Sequence, residues 1–358
     1  MAHVFVAPHP DDAALSCGGL IASLRELGQN VTILTVFSGS GSNGAGLTAY
    51  QREALGFGTK TIWPATEAFN RAAIRADYPA TADDAEWLAD EDRLEATQED
   101  ADASAKRFWQ RASWYRRASI RAKPLAGQAV IDAISTQGPI YEADVIDAAT
   151  AGDVVARRRL EDERFAYFAE VSVVFLDLPD AVFRGYEGDD QLLGPVRPDD
   201  DAPIGILRRE IARLEPQTVY VPLAVGNHVD HQLCRDVGIS LLNEGRRWVM
   251  PGPEWRNRVI FYEDFPYTWW HNFGTLDDLP EGALDGIPDD IHLTPYYADI
   301  GDQIERKVRG VALYESQVPR LFGSVRAMGT AVRQHASAMG KVGRVGGSAE
   351  RYWQSYRP

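Results

Sequence analysis

Apolar residues open the chain as a short block, Val4-Phe5-Val6-Ala7. They then recur at helical spacing as Leu15, Leu20, Ile21, Leu24 and Leu27. The block predicts a buried strand. The spacing predicts a helix over Ala13 to Leu27 that Gly28 ends. Val31-Thr32-Ile33-Leu34-Thr35-Val36-Phe37 is nearly continuous and β-branched, as in a parallel strand covered on both faces. The first sixty residues therefore read as a βαβ unit with a right-handed crossover. A glycine- and serine-rich loop, Ser38 to Gly44, follows at the strand's C-terminal end.

From about 70 to 155 the pattern changes. Ala, Asp, Glu and Arg dominate, β signals are weak, and helices are expected. The charged residues from Asp77 to Asp102 are acidic apart from Arg93, and those from Lys106 to Lys123 are all basic. These blocks are either two solvated helix faces or the facing sides of a helical hairpin. Surface pairs contribute only ~0.2–1 kcal/mol each, so a hairpin would gain orientation more than stability. Trp109, Trp114 and Tyr115 in the basic block are expected to anchor packing.

The α/β pattern then resumes. A helix is expected over Arg157 to Ala169, and a strand over Val171 to Leu176 that ends in Asp177-Leu178-Pro179-Asp180. A helix over Ile204 to Leu214 and a strand over Thr218 to Leu223 follow, then a strand over Val259 to Tyr262 and a helix over Gln303 to Tyr314. The class predicted is α/β: an open, Rossmann-like, mostly parallel sheet flanked by helices, with a helical insertion. Residues 1–335 form one domain, and the Gly- and Ser-rich tail, 336–358, is expected to be only partly ordered.

Charge and cysteines narrow the role. A net charge of −15 argues against nucleic acid and against an anionic membrane surface as partners. Two cysteines, Cys17 and Cys234, do not make a disulfide framework and point to a reducing compartment. With no leader pattern and no apolar run near ~20 residues, a soluble, cytoplasmic protein is expected.

The chemistry concentrates at two strand ends. Pro8-His9-Pro10-Asp11-Asp12 closes the first strand, with Cys17-Gly18-Gly19 just beyond. His228-Val229-Asp230-His231 follows a later one. Strand ends are where open α/β sheets bind ligands. Imidazoles with carboxylates are ligands for a hard-to-borderline ion such as zinc. The prolines stiffen the turn, so that His9 and Asp12 can point to one side. Asp11, between them, suits a base that takes a proton from water; an aspartate capping the helix is the plainer alternative. His228 and His231 are three apart, a spacing that puts both rings on one face of a helical turn. Asp230 could orient a histidine through its second ring nitrogen. The spacing alone leaves open which histidine binds metal.

The combination Pro-His-Pro-Asp-Asp, Cys-Gly-Gly and His-Val-Asp-His resembles the PIG-L/LmbE-like family of zinc-dependent N-deacetylases. Phe175 to Asp180, Tyr262-Glu263-Asp264-Phe265-Pro266-Tyr267, and Lys307 with Tyr314-Glu315-Ser316-Gln317 resemble further stretches of that family. The resemblance covers roughly 2–60 and 157–322. It implies that His9, Asp12 and His231 hold Zn²⁺ or another divalent metal, and that Asp11 is the general base. It implies further that His228 stabilises the oxyanion or protonates the leaving amine, tuned by Asp230. The implied reaction removes an N-acyl group, expected to be N-acetyl, from a small-molecule amino sugar such as N-acetylglucosamine or from a sugar conjugate. An amidase of non-sugar substrates, or a binding protein without turnover, are the alternatives. Two positions depart from the family. Ala13 replaces its usual acidic residue, and Gly226 stands where some members have a tyrosine at the oxyanion, so another group must serve there.

Arg52, Tyr262 and Tyr267 are candidate substrate-binding residues, although Arg52 and Glu53 also read as helix surface. Trp269, Trp270 and His271 suit a pocket wall or plain packing. Arg320 and Arg326 suit a polar substrate or solvent. His3, His292, His335 and both cysteines read as structural. Specificity is expected in the insertion, placed beside the mouth of the site, and in the loops Gly39 to Gly46 and Tyr262 to Trp270. A homo-oligomer is compatible with the sequence.

Overall fold

The two apolar runs nearest the N-terminus lie side by side as parallel strands, β1 (Ala2–Ala7) and β2 (Asn30–Thr35), paired Val4 to Thr32 and Val6 to Leu34. The structure, a computed structural model, describes residues 2–41, 47–55, 151–247, 259–271 and 283–356. Two compact units divide the chain, Met1–Ala72 with Ile146–Pro358, and Ala73–Val145. The second unit, and with it the two charge blocks and the expected insertion up to residue 150, lies outside the described residues. The remaining description concerns the first unit.

Helix α1 (Asp12–Glu26) joins β1 to β2, followed by α2 (Ala49–Ala54) and α3 (Ala151–Ala169), which leads into β3 (Ser172–Phe175). Next come a short α4 (Asp189–Leu192), α5 (Ala202–Leu214), β4 (Thr218–Pro222) and α6 (Val229–Arg247). The chain continues through β5 (Val259–Tyr262), α7 (Tyr267–His271), β6 (His292–Asp299), α8 (Ile304–Val311), α9 (Val318–Phe322), α10 (Val325–Gly343) and β7 (Ala349–Tyr356).

Among the described residues the sheet has seven strands, ordered β3-β2-β1-β4-β5-β7-β6. The first five are parallel, and β7 and β6 add an antiparallel edge. This is the mostly parallel, helix-flanked α/β sheet read from the sequence. The order reverses between β1 and β4, the switch point at which such sheets form their crevice. A core of aliphatic residues from β1, β2, β4 and β5, with Leu207, Ile211, Leu233 and Val237 from α5 and α6, covers one face. On α1, Gly19 is dictated by close packing: a Cβ there would stand 2.6 Å from Ile300 Cδ1.

The tail departs from expectation. Residues after Ala336 complete α10 and then form β7, inserted between β5 and β6. The strand contains two buried charges, each with a buried partner. Lys307 Nζ donates to Glu350 at 2.7 Å, and Arg351 Nε donates to Glu263 at 2.5 Å. Removing one partner of such a pair typically costs ~3–5 kcal/mol, because a buried charge is left alone.

His335, on α10, lies against Phe265 with ring centroids 5.0 Å apart, and its Nε2 has no hydrogen-bond partner among the described residues. Burial, with Lys307 and Arg351 nearby, lowers its pKa from 6.5 to about 3. The unfolded chain protonates this ring below pH 6.5, and the folded protein does so only near pH 3. The neutral ring's contribution is complete above pH 6.5 and declines as pH falls toward 3, by up to ~1.4 kcal/mol per pH unit. His335→Gln should flatten the pH dependence of the urea midpoint between pH 6.5 and 4. Identical slopes in the two proteins would contradict this origin.

Candidate metal centre and cavity

Four strand ends converge on the site. After β1, Pro8-His9-Pro10 turns the chain, and Asp11 takes φ 113°, a region that few side chains other than glycine occupy. The Asp11 carbonyl accepts the Leu15 N–H at 2.9 Å as α1 begins. Its carboxylate makes no capping hydrogen bond, so it is not spent on the helix. After β4, the loop Ala224 to Asn227 carries three positive φ values, at Ala224, Gly226 and Asn227. It delivers His228, and Asp230 and His231 then sit in the first turn of α6. Asp180 follows β3, and Asp264 follows β5.

The donor atoms have a definite arrangement. Asp12 Oδ2 stands 3.4 Å from His9 Nδ1 and 3.4 Å from His231 Nε2. Two ligands at ~2.0–2.1 Å on a tetrahedral ion stand about 3.3–3.4 Å apart, so Asp12 Oδ2 is spaced from each imidazole nitrogen as one ligand of a cation is from another. The other nitrogen of each ring already faces a carboxylate: His9 Nε2 with Asp230 at 2.8 Å, and His231 Nδ1 with Asp264 at 2.6 Å. That pattern fixes the orientation of metal-binding imidazoles. The rings of His9, His228 and His231 each offer a nitrogen within 4.8 Å of the others. A second group with equally close ligand atoms is His9, Asp180 and Asp230. There positive charge is already supplied, by Arg184 at 2.6 Å from Asp230 and Arg158 at 3.6 Å from Asp180. The Asp12 side of His9 is the better cation site.

Charges follow from these contacts. Burial opposes protonation of His9, but Asp180, Asp12 and Asp230 outweigh it and raise the ring to about 10. A proton therefore stands in for a cation, and metal binding at this ring must displace it. Burial likewise raises Asp12, yet His231 and His9 prevail and hold it at about 2. Burial and the Asp12 charge push Asp11 up to about 8, a high proton affinity for a carboxylate. Burial and His9 keep His228 far below the ordinary histidine value, so it is neutral. Its Nδ1 accepts the Asp230 N–H at 3.3 Å, so the ring proton is on Nε2 and available to a ligand.

A cavity of about 60 Å³ opens on this set. His9, Asp11, Asp12 and His228 line it with Arg158 and Asp180, and Leu15, Val182, Leu192 and Leu321 give it apolar walls. Asp230 and His231 are fully buried behind them. The predicted residues of both motifs therefore meet at one place, with one difference in role: the Asp230 side chain bonds to His9, and it is the Asp230 backbone that touches His228. The three candidates for substrate binding separate. Tyr267 lines the cavity. Tyr262 does not; it is buried in the sheet and its hydroxyl donates to the Val6 carbonyl at 2.8 Å, which corrects that expectation. Arg52 is half-buried on α2, but Ala54 is the residue of that helix on the cavity. Trp269 packs edge-on to His335 at 5.8 Å, a packing role.

Four residues of the site carried no role in the sequence reading. Asp264 holds His231. Arg184 holds Asp230 and Asp200. Arg158 Nη2 reaches the Pro10 carbonyl at 3.4 Å and lies 4.0 Å from Asp11. Asp180 caps the turn after β3 through Val182 N–H at 3.2 Å. Asp180 and Asp264 were visible as acids at strand ends; the arginines gave no signal. Asp264→Asn should loosen the His231 ring and weaken zinc binding about 10–100-fold. Competition with a zinc chelator measures this, and an unchanged affinity would remove Asp264 from the site.

The family described as PIG-L, GlcNAc-PI de-N-acetylase, matches residues 4–101. A 2'-N-acetylparomamine deacetylase of Streptomyces fradiae is 30% identical over 173 residues, 46% of this chain and 54% of that protein. The protein of the same name from Niallia circulans is 30% identical over 139 residues, 36% of this chain and 46% of the relative. The chain thus spans about half the length of the curated relatives it matches. Among solved structures, the zinc inhibited form of teicoplanin deacetylase Orf2 aligns over 100% of this chain and 99% of its own, with a TM-score of 0.58 and 18% identity. A deacetylase–teicoplanin complex aligns over 100% and 99%, with a TM-score of 0.54 and 18% identity. At these identities the likeness establishes the fold. No helix among the described residues is long and apolar enough to cross a membrane.

Proposed function

We propose, from its resemblance to the PIG-L family as premise, that this chain is a zinc-dependent hydrolase that removes an N-acetyl group from an amino sugar or sugar conjugate. One observation carries the reading: Asp12 Oδ2 is shared at 3.4 Å between His9 Nδ1 and His231 Nε2, with the carboxylate of Asp11 beside it and not engaged in capping. His9, Asp12 and His231 would hold the ion. Bound there, zinc polarises the acyl carbonyl and lowers the pKa of water towards ~7.

The rest is work for the chain's own groups. Asp11 takes the proton of the attacking water as its oxygen bonds to the acyl carbon. His228 Nε2–H meets the oxygen on which negative charge develops. When the C–N bond breaks, the proton held by Asp11 goes to the departing amine, and the new acid gives up its own proton, so that acetate and the ammonium form of the amine result. Arg158, at 4.0 Å from Asp11, holds the base in place.

The apolar walls of the cavity, Leu15, Val182 and Leu192, suit the methyl of a short acyl group placed beside Asp11 and His228. The curated relatives named for an N-acetylated amino sugar favour that substrate class over other amides. The test is an acetate-release screen of zinc-loaded protein over N-acetylated amino sugars, their conjugates and non-sugar acetamides. Release only from non-sugar amides would replace the substrate class. No release from any, with one zinc bound, would make this a binding protein.

A further inference from the structure

Gly226 and Tyr267 interlock at the cavity. Gly226 has φ 90°, and a Cβ there would stand 2.7 Å from Tyr267 Cδ1 and 2.8 Å from its Cγ. The tyrosine ring thus occupies the space that a side chain at 226 would take, and any other residue would displace it. The two segments are also clamped. Asp264 Oδ2 accepts the Val225 N–H at 2.8 Å, its backbone carbonyl accepts the Thr268 N–H at 3.0 Å, and its Oδ1 holds His231 at 2.6 Å. One residue therefore ties the Gly226 loop and His231, through its carboxylate, to the turn bearing Tyr267, through its backbone carbonyl. The Tyr267 ring stands edge-on to His231 with centroids 5.9 Å apart, and it lines the cavity beside Asp12 and His228. Arg320, another donor on the cavity, is turned to the Ala54 carbonyl.

We infer that the Tyr267 hydroxyl is a second hydrogen-bond donor to the acyl oxygen, opposite His228, seated there by the side-chain-free Gly226. This rests on the hydrolase reading above. Two donors converge on the oxygen that gains charge, one from the end of β4 and one from the end of β5. The hydroxyl comes from a residue 41 positions after Gly226, carried to the cavity by the end of the neighbouring strand.

The experiment compares zinc-loaded wild type with Tyr267→Phe, which keeps the ring on Gly226 and removes only the hydroxyl. On the best N-acetyl substrate of the screen, kcat and kcat/KM should fall together by about 10²–10³-fold, with KM and zinc content unchanged. Unchanged kcat, or loss of zinc, would overturn the inference. Titration with acetate, which needs no turnover, should show binding weakened by about tenfold or more, the size of one lost hydrogen bond to a charged ligand. Equal acetate affinity in the two proteins overturns it even if no substrate is ever found. A wild type that binds acetate through Tyr267 and yet hydrolyses nothing would refute the hydrolase reading and leave the donor in place. Gly226→Ala should cost activity in the wild-type background and little more in the Tyr267→Phe background. Equal costs in both would separate Gly226 from the hydroxyl.

Discussion

Asp11→Asn is expected to keep its zinc and lose about 10²–10⁴-fold in turnover, the usual share of a general base. The amide is nearly isosteric with the carboxylate, so the turn at φ 113° and the Leu15 N–H to Asp11 carbonyl bond should persist. What it lacks is affinity for a proton. The wild-type carboxylate has that affinity, raised by burial and the neighbouring Asp12, while Arg158 and His9 favour the ionised form that accepts the proton. Measuring zinc content and acetate release on the same sample separates the cases. Metal loss would make Asp11 a ligand, and full activity would place the base elsewhere.

Asp12→Ala should have a still larger effect, by a different route. Its Oδ2 is common to both imidazole contacts and also accepts the His9 N–H at 2.7 Å, which holds the turn. Without it two histidines face each other with no anion between them. Zinc should no longer bind at stoichiometric concentrations, and activity should fall to background. A ligand present at a hundredfold excess over its Kd stabilises the folded state by about 2.7 kcal/mol, so the wild-type Tm should rise by several degrees on adding zinc. The variant should show no rise. An equal rise in both proteins would exclude Asp12 as a ligand.

Much of this arrangement was legible because it is local. The strand block and helical spacing of residues 4–27 produce β1 and α1 nearly to the residue, and the two histidine motifs mark strand ends by themselves. Strand β5 was found at its observed limits, Val259 to Tyr262, because all four residues are apolar. The antiparallel edge was not found. Strand β6 is mostly exposed or half-buried, with Pro295 inside it, and shows no apolar run. Strand β7 buries Glu350 and Arg351, which look like solvent residues until Lys307 and Glu263 are seen beside them. The same limit applies at the site. Which carboxylate hydrogen-bonds which imidazole depends on contacts across 33 and 221 residues of sequence: the Asp230 side chain bonds to His9, while its charge also acts on the adjacent His228. Tyr262 shows the same limit: a tyrosine at a strand end can face the crevice or the sheet interior, and its hydrogen bond to the Val6 carbonyl decides for the interior.

The proposed hydrolysis requires one cation shared by His9, Asp12 and His231. Anomalous diffraction at the zinc edge, from crystals of the zinc-loaded full chain, tests this directly. The expected result is a single strong peak ~2.0–2.1 Å from His9 Nδ1, His231 Nε2 and an Asp12 oxygen, with Asp11 outside bonding distance. A peak between His9 Nε2, Asp180 and Asp230, or no peak at His9 at all, would contradict it.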